Sequence, residues 1–366
     1  MTIDKTINII GGGISGLTTS LAFKTNGINH NLYEKNSEIT YENVGFGISA
    51  NIFPILDEWN ILNQTKEIGA EIQKFHFVDH DLKYLNSFQI MRPPLSIKRN
   101  LFHKLLAEKI NKIEVNHPKK ITDFTENQIV ICADGLNSES RQEIYPNLKL
   151  RNSNQILLRG ISQIKIDEKF KNAYHSFVGN NLRFAIIHTG EDFYSWYAIK
   201  ENNPNEDVFF DKANLNKSFK KYHPIVNHII ESSENIYFSE LKDINPNDRK
   251  NLNWYRNNAL LIGDAIHPTT PNMANGGCLA MEDAYLLAKL FSEMQTKNVQ
   301  EIFKVFQKSR EKKVDNVVYQ SYWFGKLLHQ ENKTIENLIK LGIKLTPKFL
   351  FDKIYSNVLT EIKVRK

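Results

Sequence analysis

A glycine-rich stretch near the start of the chain carries the clearest chemical signal. A short apolar run ends at Ile10, the sequence GGGISG follows at once, and a helical pattern continues from Leu17. Gly11 permits a tight turn, Gly13 lets the backbone approach a pyrophosphate without a Cβ in the way, and Gly16 allows the helix to pack closely on the strand. The N–H groups at the helix start, at the positive end of its dipole, then hold phosphates.

An acidic residue completes this pattern. A second apolar stretch ends in Glu34, eighteen residues after Gly16. A carboxylate at this distance accepts hydrogen bonds from a ribose, and it favours an adenosine ribose without a 2′-phosphate. The combination predicts a dinucleotide site, to which Ser15 and Lys35 also belong, and a plain tight turn is the alternative. The pattern alone does not distinguish FAD from NAD.

Further candidates stand at the ends of predicted elements. Asp134 follows a buried-type strand at 129–133, and Asp264 follows another at 259–262. Open α/β sheets bind ligands at such carboxyl ends, although a simple turn is the alternative for Asp134. Gly47 lies where a backbone can pass close to a ligand. Arg99 precedes a predicted helix at 100–110, where the dipole disfavours a cation, so it is either a ligand contact or a surface arginine.

The middle of the chain has a different pattern. Short alternating strands at 157–164, 174–178, 182–188 and 194–199 predict an antiparallel sheet with one covered face, and a strand at 236–241 follows a helix near 215–232. This part is the candidate substrate domain.

Composition restricts the class of protein. Hydrophobic content of 41%, 24% charged residues and 11 prolines describe a globular chain of 366 residues. No apolar run is long enough to span a bilayer, and the first strand begins too early to leave room for a cleavable leader, so we expect a cytoplasmic protein. The two cysteines are far apart and belong to no C-x-x-C motif, so no metal site, disulfide framework or dithiol centre is predicted.

The chain carries a net charge of +6. This surplus attracts NAD(P)H, acidic small molecules or anionic lipid, or it reflects only a solvated lysine-rich surface. No aromatic-interleaved basic motif indicates nucleic acid.

Three motifs in order carry a family resemblance. They are GGGISG with Glu34, then Asp134-Gly135 with Ser138 and Arg141, then the run GDAIHPTTP at 263–271. Together they resemble the single-component FAD-dependent aromatic hydroxylases (monooxygenases) of the para-hydroxybenzoate hydroxylase type. Residues 263–284 are most similar to the branch with urate hydroxylase, salicylate hydroxylase and zeaxanthin epoxidase. The resemblance extends from residue 7 to about residue 325.

The resemblance implies roles for the candidates. Glu34 would bind the adenosine ribose, Arg99 and Asp134 would contact FAD, and Asp264 would hold the ribityl chain. Pro271 and the backbone of residues 276–278 would line the isoalloxazine, where the start of the following helix offers positive charge to the anionic reduced flavin. The full set of predicted cofactor-binding residues is Gly11, Gly13, Ser15, Gly16, Glu34, Lys35, Gly47, Arg99, Asp134, Asp264, Pro271, Gly276, Gly277 and Cys278.

The sequence departs from the family pattern in three places. The usual Gly-Gln-Gly before the last flavin helix is Ala274-Asn275-Gly276, the segment between the helix after Arg99 and Asp134 is short, and Ile52-Phe53 replaces a Pro-Asn pair. The sequence has no second dinucleotide-binding motif, so NADH or NADPH must bind transiently without a dedicated nucleotide-binding domain. The sequence does not distinguish between the two donors. The tryptophans do not form the motif of the flavin halogenases.

The expected fold class is α/β, with a Rossmann-like FAD-binding domain, an inserted antiparallel β-sheet substrate domain and C-terminal helices. The predicted boundaries are 1–74, 96–155 and 256–325 for the FAD-binding domain, 75–95 and 156–255 for the substrate domain, and 326–366 for the C-terminal helices. The last helices cover the flavin domain, join a dimer or touch a membrane, in that order of preference. Monomer and homodimer both stay open.

The expected activity is that of an NAD(P)H-dependent FAD monooxygenase. The resemblance implies hydride transfer to FAD, capture of molecular oxygen as a flavin C4a-hydroperoxide, and hydroxylation of an aromatic or other electron-rich small molecule in a dry pocket. One alternative is an enzyme that inactivates a polycyclic drug or polyketide of the tetracycline type. Another is a flavin-binding protein without turnover, and its only support is the pair Ala274-Asn275 in place of the family Gly-Gln.

Four residues are candidates for contact with the substrate. Arg183, on an otherwise apolar strand, either points inward to hold an anionic or phenolate group or outward to solvent. His188 is a candidate base or a solvated strand-end histidine. Tyr197 binds substrate or packs in the sheet, and Asn272 lies beside Pro271 in the predicted flavin loop. His267 is assigned a structural role.

Overall fold

The computed structural model describes residues 6–38, 42–110, 112–179, 182–201, 212–294, 298–328 and 332–358. The strands in these residues are β1 (Ile7–Ile10), β2 (His30–Tyr33), β3 (Gly45–Ile48), β4 (Gly69–Glu71), β5 (Lys74–Val78), β6 (Tyr84–Gln89), β7 (Leu95–Lys98), β8 (Ile129–Cys132), β9 (Arg151–Gln163), β10 (Ala173–Gly179), β11 (Leu182–His188), β12 (Phe193–Glu201), β13 (Tyr237–Asp243), β14 (Tyr255–Arg256) and β15 (Ala259–Leu261). The helices are α1 (Ile14–Thr25), α2 (Phe53–Glu58), α3 (Leu62–Glu67), α4 (Arg99–Lys109), α5 (Glu139–Ile144), α6 (Lys212–Ser218), α7 (Pro224–Glu231), α8 (Pro246–Arg249), α9 (Gly276–Glu293), α10 (Val299–Leu328), α11 (Lys333–Leu345) and α12 (Lys348–Val358).

The first sheet is the nucleotide-binding sheet that the sequence predicted. Its strand order is β14-β15-β8-β1-β2, and the four strands from β15 to β2 run parallel. Every residue of β1 and β8 is buried, because helices cover the sheet and leave no face for solvent. Helix α1 packs between this sheet and α9. The carboxyl ends of β1, β8 and β15 therefore lie side by side, which brings the three sequence motifs to one edge.

The second sheet has seven strands in the order β13-β9-β12-β11-β10-β5-β6. Neighbouring strands are antiparallel, as predicted, except that β10 and β5 are parallel. The β5–β6 hairpin enters this sheet from an earlier part of the chain. No tight turn links β5 to β10, so no turn dictates an antiparallel pairing. A small third sheet, β3-β7-β4, completes the strands of the described residues.

The predicted helix near 215–232 is wrong as a single element, because the chain breaks before α7, which has Pro224 at its first position. Two other pairs of helices are also separated by short breaks. Asn60, with a φ of 56°, lies between α2 and α3, and α11 ends before Pro347, which lacks an N–H group and restrains the residue before it. Strand β9 also begins earlier than predicted.

The C-terminal helices α11 and α12 lie against the edge of the second sheet. Asn86 Nδ2 on β6 donates to the carbonyl oxygen of Ile343 at 2.8 Å and to that of Thr346 at 2.9 Å. The ring of Phe351 stacks on that of Phe88, with 4.1 Å between centroids. These helices thus cover the β6 side of the sheet. None of the described helices has the length and apolar character needed to cross a bilayer.

Candidate active site

The glycine turn after β1 has the geometry that its sequence predicts. Gly11 has a φ of +106°, and a Cβ there would lie 2.5 Å from the carbonyl oxygen of Ala133. A Cβ on Gly16 would lie 1.8 Å from the carbonyl oxygen of Gly11, so only glycine lets α1 approach β1 this closely. At Gly13, by contrast, a Cβ would have no atom within 4 Å. The turn is therefore packed on one side and open at the residue that precedes α1.

The open side of the turn has the chemistry of a phosphate site. Helix α1 has no acidic residue in its first turn and no side chain that caps its start. The hydroxyl of Ser15 is buried and has no hydrogen-bond partner among the described residues. Backbone N–H groups at a helix start, together with this unpaired hydroxyl, match the acceptor oxygens of a pyrophosphate. These residues fit FAD at this position.

Glu34 stands where a ribose-binding acid belongs, at the end of β2. It is only 8% exposed, and one carboxylate oxygen accepts from the Gly12 N–H at 2.6 Å while the other accepts from the Asn36 N–H at 2.9 Å. The backbone thus fixes the carboxylate beside the glycine turn. Lys35 points elsewhere, since its exposed ammonium lies 3.9 Å from the Glu139 carboxylate.

The second and third motifs are joined by Arg141, a contact that sequence reasoning missed. Asp134 accepts from the Ser138 hydroxyl at 2.6 Å, and Ser138 caps α5 by accepting from the Arg141 N–H. The buried guanidinium of Arg141 donates to the carbonyl oxygens of Ala265 at 2.8 Å and Leu136 at 2.6 Å. Asp134 thus shapes the loop after β8, and Arg141 holds that loop against the one after β15.

Asp264 lies at the carboxyl end of β15 and is exposed to solvent. Partial desolvation by neighbouring protein raises its pKa, while the charges of His267, Arg99 and Arg141 lower it. Arg99 lies within 4.0 Å of the Glu42 carboxylate, and its buried Nε has no partner among the described residues. Asp264 can accept hydrogen bonds from hydroxyl groups, and Arg99 retains a free donor toward a ligand.

A buried charge network supports this loop from behind. Asp283 on α9 accepts from the Gly263 N–H at 3.0 Å, from His267 Nε2 at 2.6 Å and from Arg310 Nε at 2.6 Å. Burial alone would favour the neutral acid, but His267 and Arg310 lower the pKa of Asp283 to about 2. Arg310 also donates to Glu282 at 2.8 Å. His267 therefore occupies the structural position that the sequence indicated.

The loop before α9 approaches β3. A Cβ on Gly277 would lie 2.3 Å from the Phe46 ring, so this glycine is needed for the close contact. The buried thiol of Cys278 donates to the carbonyl oxygen of Gly47 at 3.7 Å, and burial raises the pKa of this thiol to about 11. Ala274 has a φ of 49°, the left-handed conformation that the family glycine would adopt easily. The structure thus brings Gly47, Gly277 and Cys278 together, and the loop keeps its turn despite the substitution.

Arg183 points inward, where it meets two of the other predicted substrate residues. It is 4% exposed, its Nη1 lies 3.4 Å from the Asn272 oxygen, and its Nη2 lies 3.5 Å from the Tyr174 hydroxyl. The guanidinium also lies over the rings of Tyr197, at 5.3 Å, and Phe324, at 5.4 Å. The hydroxyl groups of Tyr174 and Tyr197 share a short hydrogen bond.

Among the residues that the structure describes, none supplies a counter-ion to Arg183. No carboxylate of the described residues lies within 4 Å of it, and its Nε has no hydrogen-bond partner there. Arginine is seldom buried without an acid, because transfer of a charge from water costs several kcal/mol. Such a guanidinium, bounded by hydroxyl groups, an amide oxygen and aromatic faces, is suited to an anionic group on a planar ligand.

Asn272 is held firmly in this cluster. Its Nδ2 donates to the Thr270 hydroxyl and to the Ser321 carbonyl oxygen, both at 3.1 Å. A Cβ on Gly325 would lie 2.3 Å from Nδ2, so α10 can pass this close only with glycine. Its oxygen is thereby directed to Arg183.

His188 does not join the cluster. Its Nδ1 lies 3.1 Å from the Asn172 oxygen and its Nε2 lies 2.8 Å from the carbonyl oxygen of Glu191. Burial lowers its pKa, and five residues of strand, roughly 16 Å, separate it from Arg183. Its contacts are those of a histidine that fixes the loop at the end of β11.

Sequence reasoning missed Tyr174 and Phe324 as neighbours of Arg183. The strand register could have indicated Tyr174. Residues 183, 185 and 187 of β11 lie on one face of the sheet, Ile187 pairs with Tyr174, and Ala185 pairs with Tyr197. Phe324 comes from α10, more than a hundred residues later, and has no local signal.

The site and fold define the class of protein. A match to the family model described as "FAD binding domain" covers residues 125–321, more than half of the chain. The chain belongs to this family of FAD-dependent monooxygenases, which confirms the resemblance carried by the three motifs.

Individual relatives are more distant. The chain is 24% identical to 2-heptyl-3-hydroxy-4(1H)-quinolone synthase of Pseudomonas aeruginosa, over 98% of each chain. It is 24% identical to aurachin C monooxygenase/isomerase of Stigmatella aurantiaca, over 89% of this chain and 90% of the relative. Among solved structures, HpxO of Klebsiella pneumoniae, complexed with FAD and uric acid, superimposes with a TM-score of 0.84 at 19% identity, over 97% of each chain. This likeness confirms the predicted fold class.

Proposed function

We propose that this chain is an NAD(P)H-dependent monooxygenase that hydroxylates a planar aromatic molecule carrying an ionisable ring oxygen. The observation that carries the proposal is the buried cation of Arg183, beside the flavin loop, for which the described part of the chain supplies no counter-ion. The names of two relatives, a heptyl-hydroxyquinolone synthase and an aurachin C monooxygenase, support quinolones as the first compounds to test.

FAD, when bound, supplies the redox chemistry, accepting hydride from NAD(P)H and activating molecular oxygen for transfer of one atom to the substrate. The chain would hold it through groups already described. The start of α1 and Ser15 would hold the pyrophosphate, Glu34 would bind the adenosine ribose, and Asp264 would bind the ribityl hydroxyl groups. The N–H groups at the start of α9 would offer positive charge to the reduced flavin.

Arg183 makes the bound substrate more reactive. A guanidinium beside a ring hydroxyl or oxo group favours the deprotonated oxygen, and electron density from that oxygen makes the adjacent ring carbon a better nucleophile. Burial raises the pKa of Tyr197 well above its usual value, so its hydroxyl stays neutral and can donate to the same oxygen. Asn272 orients the guanidinium from the other side.

The surroundings of Arg183 exclude water. Tyr174 stacks on Phe75 with 4.4 Å between ring centroids, and Phe324 closes the side formed by α10. An aromatic enclosure keeps activated oxygen from being released without hydroxylation and strengthens the electrostatic contact to the substrate.

The structure favours turnover over a flavin protein that has lost its activity. The only sequence feature for that alternative was Ala274-Asn275 in place of Gly-Gln. Ala274 adopts the left-handed turn conformation, and Asn275 is buried with an Nδ2 that has no partner among the described residues. The loop therefore retains its course and an available donor. No observation on the described residues favours a polycyclic substrate of the tetracycline type.

The test compares the FAD-loaded protein with its Arg183→Met variant. We expect NADH or NADPH oxidation in air to be stimulated by hydroxyquinolones or related phenolic heterocycles, with a product heavier by one oxygen atom. The variant should bind FAD normally but bind the substrate roughly 30-fold to 150-fold more weakly, since a buried charged contact contributes about 2–3 kcal/mol. Arg183→Lys, which keeps the charge, should lose less. Equal affinity in the wild type and in Arg183→Met would overturn the assignment of Arg183.

A further inference from the structure

Two helices near the end of the chain expose apolar side chains to solvent. Helix α11 has no buried residue, and its Leu338, Leu341 and Leu345 are 62%, 50% and 70% exposed. Spacings of three and four residues place these leucines on one face. Phe349 and Leu350, at the start of α12, are also exposed. We call this set the α11–α12 apolar surface: Ile335, Leu338, Leu341, Leu345, Phe349 and Leu350.

The α11 helix contacts the protein through its opposite side. Asn86 donates to the carbonyl oxygen of Ile343, and the ammonium of Lys340, paired with Glu336 at 2.6 Å, lies beside Gly179. An amphipathic helix of a globular protein normally turns its apolar stripe toward the core. Here most of the large apolar side chains face outward, so the surface has the character of a binding face.

The charge of this part of the chain identifies the chemistry of the partner. Residues 332–366 contain eight lysines and arginines and three acidic residues, so they carry five of the six net positive charges of the whole chain. Lys333 and Lys344 are exposed and flank one side of the leucine stripe on α11. Leucine and phenylalanine on one face with lysine at its border is the pattern of helices that lie in the interface of an anionic bilayer.

We propose that the α11–α12 apolar surface docks on an anionic lipid bilayer, with α11 lying in the membrane plane. A second copy of the chain is a poorer occupant, because two such surfaces would bring the same positively charged segments together. An anionic bilayer instead complements the charge and buries the leucines. This inference goes beyond the proposed reaction and does not depend on which substrate the enzyme takes.

Sedimentation of the FAD-loaded, full-length protein with lipid vesicles tests the proposal. We expect the protein to bind vesicles of equal parts phosphatidylglycerol and phosphatidylcholine, and to bind pure phosphatidylcholine at least tenfold less. Leu338→Ser combined with Leu345→Ser should weaken binding at least tenfold, and Lys344→Gln about fivefold at low salt. Val115→Ser and Lys104→Gln, which alter exposed residues on other parts of the molecule, are the matched controls and should bind like the wild type.

Three results would overturn the proposal. They are no binding to anionic vesicles, binding that the double leucine variant retains in full, and a homodimer in sedimentation velocity that this variant dissociates. The last result would assign the surface to a second copy. Because the substituted leucines are exposed, FAD content and thermal midpoint should stay unchanged, which separates lost binding from lost folding.

Discussion

Two buried arginines in this protein should respond in opposite ways to the same substitution. Arg183 and Arg310 are 4% and 1% exposed. Arg310 donates to Asp283 at 2.6 Å and to Glu282 at 2.8 Å. The polar contacts of Arg183 within the described residues are an amide oxygen at 3.4 Å and a hydroxyl at 3.5 Å. Replacement of each by methionine removes the charge and keeps much of the apolar volume.

The contacts give the expected magnitudes. The two long polar contacts of Arg183 contribute at most about 1 kcal/mol each, and its two aromatic contacts add about 0.5–1 kcal/mol each. Burial of an unpaired charge costs several kcal/mol, so Arg183→Met should leave the free energy of unfolding unchanged or raise it by about 1–2 kcal/mol. Arg310→Met leaves two buried carboxylates with fewer partners, and should lower it by about 3–5 kcal/mol.

Thermal unfolding of the FAD-loaded variants at pH 7, with FAD content measured in parallel, tests this difference. Arg183→Met should unfold at the same temperature as the wild type or a few degrees higher, and Arg310→Met several degrees lower. A loss of stability in Arg183→Met that equals the loss in Arg310→Met would show that Arg183 is a structural cation. That result would refute its role as a site held ready for an anionic substrate.

Three further predictions follow from single positions. Gly13→Ala should leave the thermal midpoint of the FAD-free protein within about one degree of the wild type, because the new methyl group meets no atom within 4 Å. The same variant should bind FAD at least tenfold more weakly in a fluorescence titration, because the methyl group would occupy space meant for the phosphates. Unchanged FAD affinity would contradict the phosphate assignment. Ala274→Gly should stabilise the protein by about 1 kcal/mol in thermal unfolding, because Ala274 has a φ of 49°, and destabilisation would refute the strain argument. Because the pKa of Asp283 is lowered to about 2, its ion pairs contribute stability above the usual carboxyl pKa of about 3.8, and this contribution is lost as the pH falls from about 4 to 2. Asp283→Asn should therefore flatten the acid side of a stability profile, and an unaltered acid limb would show that another group controls it.

The nucleotide-binding part could be predicted because its signals are local. The tight turn requires glycine at Gly11, and the close packing of helix on strand requires glycine at Gly16. The continuous apolar run at 129–132 is typical of a strand that is buried because helices cover both faces of its sheet. Each of these signals lies within a few residues of sequence. Local signals of this kind made the fold class predictable, and the structure confirms it.

The contacts around Arg183, the proposed substrate anchor, are not local in sequence. Arg183, Tyr174 and Tyr197 come from three strands whose register follows from the hairpins, but Asn272 and Phe324 come from the other end of the chain. No spacing in the sequence indicates that α10 passes beside β11. The same limit explains the parallel pairing of β5 with β10, because a long connection leaves the direction of pairing to tertiary packing.

The contacts of His188 could not be predicted from its residue type alone. A histidine at the end of an apolar strand is a reasonable candidate base, yet both ring nitrogens here contact the loop at residues 172 and 191. Arg141 shows the opposite case. Its place in the second motif carried no prediction of partners, but its guanidinium joins two of the three motifs.

We propose that the chain binds FAD and uses it to oxygenate an aromatic substrate anchored by Arg183. The most direct measurement is a single anaerobic-to-aerobic experiment on the purified protein with FAD, NADH or NADPH, and a hydroxyquinolone panel. We expect the flavin absorbance to bleach on reduction. With oxygen admitted, one compound should yield a product heavier by 16 Da in the wild type but not in Arg183→Met. A protein that binds no FAD, or one whose reduced flavin reoxidises without product for every compound that binds, would contradict this proposal.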